Sequence, residues 1–311
     1  MLNSLYIKNY RNLKELQIDS VAQVNLLCGK NNTGKTSILE ALGIYASGGQ
    51  ISFLDFLLNN RQEFFESADE YIQLFSDNLL DFSNNNSIIV GEKRENPEVN
   101  ISFNRYCDIQ SKDENGEKRW IHKLLTDKEL SEYPNHYIGI KPAAKIPSTI
   151  FRFISANGTN VTSNDIEFDR ISLSDKKKKS VIDALKIIES KINNLSYISD
   201  KQNEERKPKV TFEDNSKIML LTRMGDGINR ILTIILAAVN CENGYLLIDE
   251  FENGLHYTVQ EQLWKIIFKL AKDLNIQVFA TTHSNDCIHS FSKVLNAENN
   301  EVLGKLIRLD N

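Results

Sequence analysis

Eight residues near the start of this 311-residue chain constrain it more than any others: Gly29-Lys30-Asn31-Asn32-Thr33-Gly34-Lys35-Thr36, a G-x-x-x-x-G-K-T loop. Glycines at positions 29 and 34 let the backbone turn successive N–H groups toward one point, which makes an anion-binding nest. Val24 to Leu27 form a short apolar run before the loop, and Ser37 to Leu42 follow with helical spacing. The loop therefore joins a buried strand to a helix, the context such a motif needs. The helix start adds its positive dipole end, Lys35 adds a point charge, and the Thr36 hydroxyl is placed to ligate magnesium. Gly29, Asn31, Asn32, Thr33, Gly34, Lys35, Thr36 and Ser37 are thus the candidate ligands of a nucleotide's phosphates.

A second stretch completes that chemistry. Tyr245-Leu246-Leu247-Ile248-Asp249-Glu250 is an apolar strand ending in two carboxylates, the Walker B pattern that sets Asp249 on a magnesium ion beside the P-loop. Glu250, one residue on, is the candidate base for the water that attacks the γ-phosphate. Lys35 and Asp249 lie 214 positions apart (249 − 35), so a large insertion separates the two motifs. Upstream of the Walker B strand, Gly225-Asp226-Gly227 opens a helix running from Ile228 to Val239. A glycine-rich helix start is a second anion site, and one nucleotide rarely needs two from one chain. Downstream, Gln277 to Thr282 reads as a strand that delivers His283 and Ser284. A histidine at a strand end is usually structural; in this order of motifs His283 is read as a γ-phosphate sensor.

Between the motifs the texture changes. A helix to about Tyr45 is broken by Gly48-Gly49, and a Phe- and Leu-rich helical stretch is expected from about Phe53 to Leu80. Ile101 to Ile109 alternates apolar and polar residues, and Asn115-Gly116 supplies a turn before Arg119 to Leu125, a hairpin signal. Residues 1–156 are read as an ATPase N-terminal lobe and 216–311 as a C-terminal lobe, with a helical insertion over 157–215. That insertion is expected to be an arm or a surface for dimerisation or a partner. Ser174-Asp175 caps its helix, whose apolar positions Val181, Leu185, Ile188, Ile192 and Leu195 recur every three or four residues. Lys176 to Lys179 read first as a solvated face and second as a contact for DNA or an acidic partner.

Composition removes several classes. A net charge of −5 does not announce a nucleic-acid binder, although a local basic patch is compatible with it. Cys28, Cys107, Cys241 and Cys287 have no C-x-x-C spacing and read as reduced thiols. No signal peptide is visible, and the apolar run from Ile231 to Val239 is too short to span a bilayer, so a cytoplasmic protein is expected. No N-K-x-D guanine reader is found, which disfavours a P-loop GTPase.

The order of these motifs resembles the ATP-binding-cassette (ABC) ATPases. Within them the chain is most similar to the branch of RecF, Rad-type and SMC heads, and above all to the overcoming-lysogenization-defect (OLD) ATPases and their stand-alone relatives. The resemblance rests on Ile7 to Asn12, Gly29 to Thr36, Gly225 to Arg230, Asp249 to His256, and Thr281 to Ser284. It covers both ends of the chain well and the middle poorly. It implies an α/β ABC-type P-loop head with a mixed β-sheet, working as a homodimer or higher homo-oligomer on ATP and Mg2+. The phosphates held by one subunit's P-loop would be covered by Gly225, Asp226 and Gly227 of the other. Glycine stands where transporter cassettes carry a signature serine, and the D-loop ends in His256, both as in the OLD-like branch. No Q-loop glutamine is identified, Gln50 lying too near the P-loop. Arg11 is either a nucleotide contact, as in Rad-type heads, or a surface charge after the first strand.

OLD nucleases continue into a TOPRIM domain. This chain stops 28 residues after His283 (311 − 283), so no nuclease is expected in it. The resemblance then implies a sensor or motor in anti-phage defence or DNA maintenance, acting with an effector (nuclease or toxin) in trans and not with a membrane. Two rivals stand beside it: an ATP-gated DNA clamp of the RecF kind, and a scaffold holding a toxin or nuclease inactive until triggered.

Overall fold

The computed structural model describes residues 1–63, 74, 76, 87–92, 99–104, 106–112, 118–121, 139–142, 149–156, 163–199, 206–213, 218–225, 227–297 and 303–310. The expected helical continuation to Leu80, the Asn115-Gly116 turn and Asp226 lie outside them. The chain divides into two compact units: residues 1, 22–35 and 150–311 form one, and residues 2–21 and 36–149 form the other.

The elements follow in chain order. Strands β1 (Leu5–Tyr10), β2 (Leu13–Ile18) and β3 (Val24–Gly29) lead through the P-loop to helix α1 (Lys35–Ala46) and then α2 (Ile51–Asn60). Strands β4 (Ser87–Gly91), β5 (Val99–Asn104), β6 (Tyr106–Lys112), β7 (Lys118–Ile121), β8 (Gly139–Pro142) and β9 (Phe151–Ile154) come next. Helices α3 (Asn164–Ile171) and α4 (Asp175–Ile188) precede β10 (Ile192–Ser199), β11 (Arg206–Phe212) and β12 (Ile218–Leu220). The remainder is α5 (Gly227–Val239), β13 (Tyr245–Ile248), α6 (Tyr257–Leu274), β14 (Gln277–Thr282), α7 (Asn285–Ala297) and β15 (Gly304–Leu309).

The larger unit is built on a five-stranded sheet of order β15-β3-β14-β13-β9, with every pairing parallel. All six residues of β14 and all four of β13 are buried, as expected of strands covered on both faces. The chain passes from β14 through α7 to β15, across β3. The P-loop strand therefore has neighbours reached in opposite directions, and in open parallel sheets ligands sit beyond the strand ends at such a point. Helix α5, apolar on nearly every side, is buried between the sheet and the other helices; of its thirteen residues only Gly227 and Asn229 fall outside the buried set.

The smaller unit carries an antiparallel sheet of order β2-β1-β4-β5-β8 and the β6–β7 pair. Arg11-Asn12 is the whole connection between β1 and β2, and Arg11 has φ 50°. Two-residue hairpins need positive φ at their first position.

The 157–215 stretch departs from the helical reading. Its described part is two helices followed by the antiparallel sheet β10-β11-β12. Ser174 caps α4 as expected, its side chain accepting the Lys177 N–H at 3.3 Å, but the helix ends at Ile188 and Ile192 and Leu195 belong to a strand. A register shift between Ile192 and Asn194 puts these two buried side chains three residues apart. A bulge therefore imitated the helical period. The stretch shares one hydrophobic core with the parallel sheet: Val181, Leu185, Ile192, Leu195 and Val210 cluster with Ile231, Leu236, Leu246 and Val278. Lys176 and Lys177 lie 3.9 and 3.5 Å from the Glu242 carboxylate. Cys28, Cys241 and Cys287 are free and buried.

Candidate nucleotide site

The P-loop has the backbone its glycines were expected to allow. Asn32 and Gly34 take φ of 66° and 88°, and Gly29 takes φ 156°. A Cβ on Gly29 would meet the Leu309 carbonyl oxygen at 2.6 Å, so only glycine fits where β3 and β15 run side by side. The Thr33 hydroxyl donates to the Lys30 carbonyl at 3.0 Å, and the Lys35 ammonium donates to the carbonyls of Gly29 and Lys30 at 2.9 and 2.6 Å. Lys35 thus lies back along the loop whose amides would hold phosphate. Asn31 and Asn32 are exposed. A cavity of about 700 Å³ opens here, its walls including Gly29, Lys30, Thr33, His283, Asn285 and Arg308. Pockets for small ligands are of this size.

Sheet register brings the carboxylates to the same edge. Cys28 pairs with Thr282 across β3–β14, and Ile248 pairs with Ala280 across β13–β14. Asp249 and Glu250 thus leave the sheet two strands from the P-loop, roughly 10 Å at the usual strand spacing. That leaves room for a phosphate, an ion and a water between them.

The turn after β13 is held closely. The Thr281 hydroxyl donates to Asp249 Oδ1 at 2.6 Å and accepts the Glu250 N–H at 2.8 Å. The Phe251 N–H donates to the Thr281 carbonyl at 2.9 Å. These bonds keep Glu250 at φ 47°, a left-handed conformation that costs a side-chain-bearing residue about 1–2 kcal/mol. The Glu250 side chain stays 40% exposed, whereas Asp249 is buried. Phe251 turns inward and stacks on Trp264, centroids 3.8 Å apart.

Arg230, on the first turn of α5, reaches the same place. It donates to the carbonyls of Ser155 at 3.0 Å and Asp249 at 2.9 Å. Burial presses its pKa below the ordinary arginine value, while Asp249, Glu250 and Glu252 pull the other way. His283 follows β14, half exposed, with its N–H donating to Glu252 Oε1 at 3.1 Å; its Nδ1 is 3.3 Å from that oxygen and 3.9 Å from Glu250 Oε1. Thr281, Arg230 and Glu252 each lay inside motifs recognised in the sequence, yet no local pattern assigned them partners 32, 19 and 31 residues away.

The glycine turn is differently placed. Gly225 has φ 116°, and a Cβ added to it would have no neighbour within 4 Å among the described residues, whereas a Cβ on Gly227 would meet the Gly254 carbonyl oxygen at 3.0 Å. Gly227 packs on its own chain's D-loop, and Gly225 has open space beside it among the described residues. His256 caps α6 and accepts the Thr258 N–H.

The remaining expected ligands belong to the smaller unit. Thr36 and Ser37 continue α1, and the Ser37 hydroxyl donates to Asn12 Oδ1 at 2.8 Å. Arg11 is no surface charge: its side chain is 9% exposed, with Nε 2.8 Å from Glu40 Oε2 and its fork on Glu63 at 3.0 and 3.2 Å. Tyr10 donates to Glu40 at 2.9 Å and Arg61 lies 2.6 Å from it, so Arg11 belongs to a buried ionic cluster.

The donor set suits magnesium, which takes one or two protein oxygens and leaves its other positions to phosphate and water. The buried Asp249 carboxylate at the strand end is an oxygen donor of that kind. Among the described residues no helix is long and apolar enough to cross a membrane.

An ATP/GTP phosphatase of Helicobacter pylori is 24% identical over 344 aligned residues, covering 95% of this chain and 88% of that protein. DNA replication and repair protein RecF matches locally: 51% identity over 43 residues in Oenococcus oeni, 14% of this chain and 12% of that RecF. Among solved structures, the SMC head domain from Thermotoga maritima covers 93% of this chain and 91% of its own, at 12% identity and TM-score 0.43. The AAA ATPase domain family (AAA_15) matches residues 1–288. With the P-loop and the carboxylate pair on strands of one parallel sheet, the chain belongs to the AAA ATPase domain family.

Proposed function

We propose that this chain binds ATP with Mg2+ and hydrolyses it as an ABC-type head of the OLD/RecF-like branch, two copies closing over the nucleotide. The observation that carries this is the turn in which Thr281 holds both Asp249 and the Glu250 amide, two strands from the P-loop. Glu250 takes the proton of the attacking water, Lys35 and the P-loop amides stabilise phosphoryl charge, and Asp249 with Thr36 holds the ion. The exposed Glu250 and buried Asp249 fit that division of labour. Gly225 and Gly227, with Asp226 between them, would cover the partner's nucleotide, a role that suits the open position at Gly225.

The role we infer is a sensor or motor in DNA maintenance or anti-phage defence with an effector in trans. The local likeness to RecF supports DNA maintenance and also favours a second reading, an ATP-gated DNA clamp. The full-length likeness to an ATP/GTP phosphatase asks that both nucleotides be assayed. The deciding experiment is turnover of ATP and GTP by the purified chain, with Lys35→Ala as the blank, with and without duplex DNA at fixed salt. Marked DNA stimulation supports a DNA-sensing motor or clamp; turnover indifferent to DNA supports a partner-gated switch. No turnover above the blank sinks the enzyme reading. Mixing Gly225→Val with Lys35→Ala chains tests the shared site, because a mixed dimer keeps one intact composite site. Gly225 is the better choice for that test, since a side chain at Gly227 presses on the chain's own Gly254.

A further inference from the structure

The structure assigns a positioning role to Glu252, a residue outside the phosphate loop and the carboxylate pair. Its Oε1 accepts the His283 backbone N–H at 3.1 Å and lies 3.3 Å from His283 Nδ1. The same oxygen thus hydrogen-bonds the histidine's backbone and stands within ion-pair distance of its ring. The Glu252 side chain is only 11% exposed, and Oε2 is buried with no hydrogen-bond partner among the described residues. A carboxylate half unpaired in a largely buried place is costly to keep. A glutamine or a small residue would carry less desolvation, so packing alone does not account for the charge.

What the charge does follows from its place. A carboxylate beside Nδ1 favours a proton on that nitrogen and fixes the ring's orientation. His283 is one of the walls of the cavity beside the P-loop. Phe251, the residue before Glu252, is anchored on Trp264, and the Phe251 N–H is bonded to the Thr281 carbonyl two residues before His283. Glu252 therefore ties the Walker B turn to the histidine through a short, braced path. Arg230 adds to it: its Nε is also buried and unpartnered among the described residues, and it feels the Glu252 charge.

This inference rests on the reading of His283 as the group that senses the terminal phosphate. Glu252 acts through His283 and does not touch the nucleotide itself. The test is steady-state ATP turnover and equilibrium ATP binding for Glu252→Gln, Glu252→Ala, His283→Ala and the double variant Glu252→Ala/His283→Ala. Expected are a fall in kcat of about tenfold for Glu252→Gln and about a hundredfold for Glu252→Ala, the scale of a misplaced reacting group, with KM and the ATP dissociation constant within about threefold. The double variant should be no slower than His283→Ala alone, because both changes remove one unit. Glu252→Gln keeps the shape and an acceptor for the backbone N–H, so it reports on the charge even where Glu252→Ala fails to fold. Losses that multiply in the double variant, or a change in KM with kcat intact, overturn the assignment. Wild-type turnover in Glu252→Gln and Glu252→Ala beside a crippled His283→Ala overturns it while leaving the histidine reading standing. Unchanged turnover in His283→Ala removes the histidine reading and this inference with it.

Discussion

Two turns at the end of the parallel sheet are built in opposite ways. The turn after β13 is filled from within the chain: Thr281 bonds Asp249 and Glu250, Arg230 bonds two carbonyls, and Phe251 is locked on Trp264. The turn before α5 has Gly225 at φ 116° with nothing among the described residues within 4 Å of an added Cβ. In the proposed mechanism one holds carboxylates at defined places around a reacting water, where a misplacement of about 1 Å costs orders of magnitude in rate. The other offers backbone to the outside, the form a surface takes when its complement is elsewhere. The difference separates what this chain completes alone from what it leaves open.

That comparison can be broken from the closed side first. Glu250→Gln should lower ATP turnover at least about a hundredfold while nucleotide binding stays, since a general base contributes on that scale; unchanged turnover would refute its assignment as the base. Arg230→Met should cost about 3 kcal/mol, read as a lowered urea midpoint at constant slope, because buried carbonyls lose a charged donor. A shift below about 1 kcal/mol would mean that the carbonyls find other donors and the turn is less closed than described. Thr281→Val keeps the shape and removes the bridging hydroxyl. It should cost about 1–2 kcal/mol of stability, and turnover should fall by more than the folded fraction does; equal losses would make the hydroxyl merely structural.

The open side predicts smaller changes. Gly225→Ala should cost only the backbone strain, about 1–3 kcal/mol, with nucleotide binding to the single chain unaltered. Gly227→Ala has ordinary backbone but only 3.0 Å to the Gly254 oxygen, so its cost depends on whether the D-loop gives way. If Gly225→Ala abolishes nucleotide binding by the isolated chain, the turn is part of that chain's own site and the contrast fails.

Motifs governed by local pattern were legible in the residues. The strand–loop–helix around Gly29 to Thr36, the strand from Tyr245 to Ile248, the helix from Gly227 and the strand ending at Thr282 all stand where apolar runs and glycines put them. The 157–215 stretch was not, because a bulge at Ile192–Asn194 spaced two buried strand residues as a helix would. Arg11 carries no local sign of its surroundings, because its burial against Glu40 and Glu63 depends on positions 29 and 52 residues away.

The sequence by itself determined the phosphate loop and the acidic strand, because glycine conformations, apolar runs and a terminal Asp-Glu pair are properties of neighbouring residues. It also carried the order of motifs that marks the family. Only the tertiary structure decided that β3 lies between β14 and β15, that the Thr281 hydroxyl holds Asp249, that Arg230 closes the turn from α5, and that Glu252 grips His283. Those are hydrogen bonds and strand pairings between residues far apart in the chain. Their geometry exists only once the buried strands have set their register, and no local periodicity encodes it.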